Sequence, residues 1–104
     1  MTIESIFQTM TKDFNAEYAG ELEARVQFVF EDKQWSVIIS QGELETKKGT
    51  IADPTVVVTT SASVWIGIRS GTISGILALL TGKVQLSGNV EHFKRLLDKN
   101  LFSH

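Results

Sequence analysis

Two histidines and a scatter of carboxylates are the side chains of this 104-residue chain best suited to move a proton or hold a metal. His92 has neither a cysteine nor a second histidine at ligand spacing, and His104 ends the chain. Neither spacing makes a metal site, and His92 reads as a solvated position on a closing helix. Glu43 and Glu45 share one face of a strand, as a general acid and base would need to. The commoner use of such a pair is a charged edge strand that repels other edges, and that is the reading adopted. The remaining carboxylates, Glu4, Glu21, Glu23 and Glu91 among them, are spread over polar positions. The chain has no cysteine, which excludes disulfides, thiolate nucleophiles and Cys-ligated metals. It has no G-x-S-x-G elbow, no Walker A and no G-x-G-x-x-G. The expectation is a protein that catalyses nothing and uses no cofactor.

Charge narrows the partners. The net charge is −2, and the longest basic runs are the pairs Lys47-Lys48 and Lys94-Arg95. Gripping nucleic acid takes a basic stripe, because phosphate neutralisation supplies most of the affinity. No stretch reaches about 18 uninterrupted apolar residues, the length a spanning helix needs. The nearest, from Val64 to Leu80, is broken by Arg69, Ser70, Thr72, Ser74 and three glycines. The N-terminus shows no basic segment followed by an apolar block, so no signal peptide is read there. A cytoplasmic location and one domain over residues 1–104 are expected.

The elements follow from periodicity. Ile3, Ile6, Phe7, Met10 and Phe14 form one stripe at helical spacing, with Thr2 as N-cap and Asn15 to Gly20 as the exit. Leu22, Ala24, Val26, Phe28 and Phe30 then alternate with mostly polar residues, a strand with one buried face. Further strands are read over Trp35 to Ser40, Glu43 to Lys48, Thr55 to Thr59 and Lys83 to Ser87; the strand from Leu22 to Phe30 and the first three of these are read as an antiparallel meander. Val29, Ile38 and Val57 fall on the outer sheet face and would form a dimer contact if they adjoin. Helices are read from Ala62 to Ser70, from Ser74 to Leu80 and from Val90 to Asn100. Gly71 ends the first of these, while Gly67 and Gly75 permit close approach of neighbouring segments.

The middle helices carry too much apolar surface. Ile73, Ile76, Leu77, Leu79 and Leu80 spread around more than half a turn, and Val64, Trp65, Ile66 and Ile68 precede them. A surface helix needs a polar back. The excess can line an internal cavity filled by a ligand. It can form an exposed patch covered by a partner or a membrane. Or the other elements can cover it and leave a dry core.

From Ala52-Asp53-Pro54-Thr55 onward the chain resembles the sterol carrier protein type 2 family. An Ala-Asp-x-Thr leads into a β-branched strand, and a Ser/Thr-capped helix carrying an aromatic, Trp65, follows. Leu80-Thr81-Gly82-Lys83-Val84-Gln85-Leu86-Ser87-Gly88-Asn89 matches the family's Gly-Lys-hydrophobic-x-hydrophobic-x-Gly segment, and a closing helix bears Phe93, Leu96 and Leu97. The resemblance implies an α+β fold, a five-stranded, mainly antiparallel sheet with helices on one face enclosing an apolar tunnel. It implies binding of a lipid-like molecule of the fatty acid, acyl-CoA, sterol or phospholipid class, with transfer of that molecule as an open extension. Trp65, Ile68, Ile76, Leu77 and Leu80 are the expected walls, Phe93 and Leu97 the closed end, and Phe28 and Trp35 the floor. Transient membrane contact and a homodimer are compatible with this reading. The rival is a non-catalytic interaction module whose apolar patch a protein partner covers.

Overall fold

The structure, a computed structural model, describes residues 2–102; His104 lies outside them. Helix α1 (Ile3–Asp13) begins where Thr2 Oγ1 accepts from the Ser5 N–H and Ser5 Oγ accepts from the Thr2 N–H, a reciprocal cap. A short α2 (Ala16–Ala19), capped by Asn15, stands where the sequence suggested only an exit. The strands are β1 (Ala24–Val29), β2 (Gln34–Ser40), β3 (Glu43–Lys48), β4 (Val56–Thr60) and β5 (Val84–Gly88). Between the last two lie α3 (Ala62–Ser70), capped by Ser61, and α4 (Gly75–Leu80), capped by Ser74. Helix α5 (Val90–Leu97) stops short of the expected Asn100, and a 3-10 turn, Lys99–Phe102, follows.

The fold is α+β, with one five-stranded sheet in the order β3-β2-β1-β4-β5. Three pairings are antiparallel, but β4 lies parallel to β1, with Val26 opposite Val56 and Phe28 opposite Val58. The expected meander is therefore broken after β3. Instead of pairing with β3, the chain crosses the outer face of the sheet and inserts β4 beside β1. Polar bonds hold this crossing strap, residues 49–55, in place. The buried Gln27 amide donates to Gly49 O at 3.1 Å and accepts from Ile51 N at 2.9 Å. Ser36 Oγ donates to Gly49 O at 2.7 Å, and the Arg25 guanidinium donates to Ala52 O at 2.7 Å. A buried amide must find partners, and Gln27 finds them in the strap. Alternation places Gln27 and Ser36 on the outer face but cannot show what covers them.

On the outer face, the register puts none of Val29, Ile38 and Val57 directly opposite another, Val29 lying between Gln34 and Thr59. Ile38 stands between Arg25 and Glu45, and Val57 between Gln27 and Ser87. The inner face carries Ala24, Val26, Phe28, Trp35, Val37, Ile39, Val56 and Val58, all buried. Phe7 and Met10 of α1, Trp65 of α3, and Phe93 and Leu96 of α5 are buried with them in one core. Gly67 and Gly75 act as expected. A Cβ on Gly67 would sit 2.5 Å from Ile73 Cδ1, and one on Gly75 would sit 2.6 Å from Leu97 Cδ2.

Candidate functional site

The nine residues singled out from the sequence divide into three groups in space. Trp35, Phe28, Trp65 and Phe93 belong to a chain of rings under the helices. Phe7 stacks on Trp35 with centroids 4.9 Å apart and meets Phe28 edge-on at 5.2 Å. Trp65 sits 4.8 Å from Phe28 and 6.1 Å from Phe93. Phe7, Phe28, Trp65 and Phe93 are fully buried. These rings pack against one another in the layer under the helices. The Trp65 indole N–H is buried in this layer without a hydrogen-bond partner among the described residues, an uncompensated cost of about 1–3 kcal/mol.

Ile76, Leu77 and Leu80 make the second group. They share one face of α4 at helical spacing and are 46%, 60% and 75% exposed. Only Ala78 of that helix is buried. Helix α4 thus packs on the β5 side through Ala78 and the half-buried Leu79 and turns Ile76, Leu77 and Leu80 outward. Of the three arrangements open from the sequence, this is the exposed patch.

Ile68 and Leu97, the third group, are half-buried and line a cleft of about 340 Å³ with Arg69, Ser70, Gly71, Lys99 and Phe102. Leu97 joins the cleft to α4, because its side chain packs against the bare backbone of Gly75. Arg69 donates to Leu96 O at 3.1 Å, and its guanidinium carbon lies 4.6 Å from the centre of the Phe102 ring. Burial pushes the Arg69 pKa down, and the charge of Asp13 opposes that shift. Arg69, Lys99 and Phe102 were not among the expected site residues. The signal was a lone cation in the run Val64-Trp65-Ile66-Gly67-Ile68-Arg69.

A larger cleft of about 600 Å³ opens beside the start of α1, lined by Ile3, Gln8, Lys33, Trp35, Lys48 and their neighbours. Its apolar members are already packed away, Ile3 being 5% and Trp35 7% exposed, and the Lys48–Glu4 pair stands at its rim. It offers a greasy ligand little surface that is not already buried, so the α4 face is the stronger candidate.

His92 is not a solvated helix residue. Its Nδ1 lies 2.7 Å from Thr55 Oγ1, and its Nε2 lies 3.3 Å from the Asn89 side-chain nitrogen. Asn89 Oδ1 already accepts from Glu91 N, so Asn89 presents its NH2 to the ring. That assigns the proton to His92 Nδ1, where it donates to Thr55. The histidine therefore ties α5 to the end of the strap. Among the described residues, no three His, Asp or Glu side chains form a group able to hold a metal ion, and no helix is long and apolar enough to cross a membrane.

A family model described as the alkyl sulfatase C-terminal domain matches residues 1–99. None of the curated proteins matches the chain in sequence. Among solved structures, the stereoselective inverting sec-alkylsulfatase Pisa1 from Pseudomonas sp. superimposes with a TM-score of 0.88 at 18% identity. The match covers 100% of this chain but 17% of that one. Palmitated SCP2L2 from Aedes aegypti superimposes with a TM-score of 0.75 at 22% identity, covering 100% of this chain and 98% of that one. Sterol carrier protein 2 from the same organism, in complex with the C16 fatty acid palmitate, gives 0.76 at 16% identity, covering 100% and 98%. The sterol carrier protein fold expected from residues 52–89 is therefore the fold found, and the same fold is a small part of a much longer sulfatase chain.

Proposed function

The chain belongs to the alkyl sulfatase C-terminal family, and from that premise we propose that it is a lipid-binding domain that holds a long-chain apolar ligand and converts nothing. The observation that carries the reading is the face of Ile76, Leu77 and Leu80. Removing those partly exposed side chains from water is worth on the order of 3–5 kcal/mol, and none of the described residues does so. Two neighbours in fold, at low identity, are described with palmitate, which supports a fatty-acyl ligand over a bulkier one. Helix α4 is short, and Ala78 is its one fully buried side chain, with Leu79 half-buried against the core. It is the element that would lift to admit a chain towards Trp65.

Native mass spectrometry of the protein with palmitate tests this. The expected result is a one-to-one adduct and a change in tryptophan emission. The variant Leu77→Asp/Leu80→Asp should fold and form no adduct. A clean apo mass at saturating palmitate, with unchanged emission, defeats the proposal.

A second reading has its own support. The fold corresponds to 17% of the matched sulfatase chain, so in such a protein other segments are available to cover α4. A protein that takes up no lipid and dimerises in light scattering as its concentration rises would favour that reading.

A further inference from the structure

Resting on the lipid-binding reading, we propose that the cleft between the end of α3 and the 3-10 turn seats the anionic head of the ligand, gripped by Arg69, while the alkyl chain runs across Leu97 onto α4. A guanidinium carries five N–H donors. Among the described residues Arg69 uses one, on Leu96 O. The ring of Phe102 lies under its carbon at 4.6 Å and fixes its plane. The remaining donors are left for the cleft, in a setting dry enough to depress the pKa of the group despite the charge of Asp13. A cation so placed gains most from an oxyanion that accepts two parallel hydrogen bonds, as a carboxylate or a sulfate ester does. Lys99 adds a second positive charge to the lining. The volume of about 340 Å³ is at the small end for a ligand site. It suits a head and the first carbons, and the exposed side chains Ile76, Leu77 and Leu80 begin just past Leu97. The competing role for Arg69 is structural: a cation in the last turn of α3 that ties it to α5.

Titration with dodecanoate, dodecyl sulfate and dodecanol, each below the concentration at which it aggregates, separates these roles. Both anions should bind about ten- to a hundredfold more tightly than the alcohol. Arg69→Met should reduce them to the level of the alcohol, and Arg69→Lys should restore part of the preference. Which anion binds better tells a carboxylate source from a sulfate-ester source. The Arg69 Nε resonance of the unaltered protein should shift with either anion and not with dodecanol, a readout that survives if Arg69→Met fails to fold. Equal binding of all three, an unmoved Nε resonance, or a folded Arg69→Met that keeps the preference would overturn the head assignment and leave lipid binding standing. Absence of binding by any of the three would overturn both.

Discussion

Helices α1 and α4 flank opposite ends of the same sheet and use their apolar residues in opposite ways. Helix α1, near the β3 end, buries Ile3, Ile6, Phe7 and Met10. Helix α4, near the β5 end, buries Ala78 and leaves its isoleucine and two leucines outside. Apolar content alone does not distinguish the two; which side chains point inward does. At the α1 end the ring of Phe7 locks onto Phe28 and Trp35, so hydrophobic burial there is spent on holding the molecule together. At the α4 end the same kind of side chain contributes little to the fold and stays available for binding.

The comparison breaks most severely at Phe7. Phe7→Ala should cost about 3–5 kcal/mol of stability, read as a fall in the urea midpoint with little change in slope. A loss below 1 kcal/mol would mean the α1 end is no tighter than the other. Gly88→Ala comes next. Gly88 has φ +113°, and a Cβ there would meet the Thr55 carbonyl oxygen at 2.4 Å, a backbone atom that cannot step aside. The expected loss is about 2–3 kcal/mol, measured the same way. Leu80→Ser sharpens the contrast from the other side. It should move stability by no more than about 0.5 kcal/mol while weakening palmitate binding severalfold.

The smallest effect is one of pH. Glu31 Oε1 accepts from the Ala62 N–H at 2.8 Å at the start of α3, and that bond holds its carboxyl below the ordinary value of 4.5. A carboxylate with a lowered folded-state pKa stabilises above its unfolded value, and the contribution is lost as pH falls through the folded one. Thermal melting should therefore show no Glu31 effect between protonated states at very low pH, and a small deficit for Glu31→Gln near neutrality. A deficit that grows on acidification would contradict the assignment.

Much of the fold was readable because its strands alternate. The bounds of β2 and β3 are met within a residue, and the cap at Thr2 holds. The parallel insertion of β4 was not readable, since alternation shows which face a residue takes and not which strand it pairs with. Nor was the packing of the ring layer, which depends on Phe7, Phe28, Trp65 and Phe93 meeting across distant segments. Of the site, the apolar excess of α4 was legible as a surplus over what a small domain can hide. The cleft was not, because Arg69, Lys99 and Phe102 converge through the turn after α5.

The strap over the outer face has a kinetic consequence. Strand β1 lies between β2, its neighbour along the chain, and β4, which reaches it only after residues 49–55 have crossed. The β1–β2–β3 hairpins can zip locally, but the parallel seam must wait for a long-range loop to close, and such closures dominate folding times. Loosening the Gln27 clasp should therefore slow refolding more than it hastens unfolding, a partition that stopped-flow chevrons of Gln27→Ala would reveal.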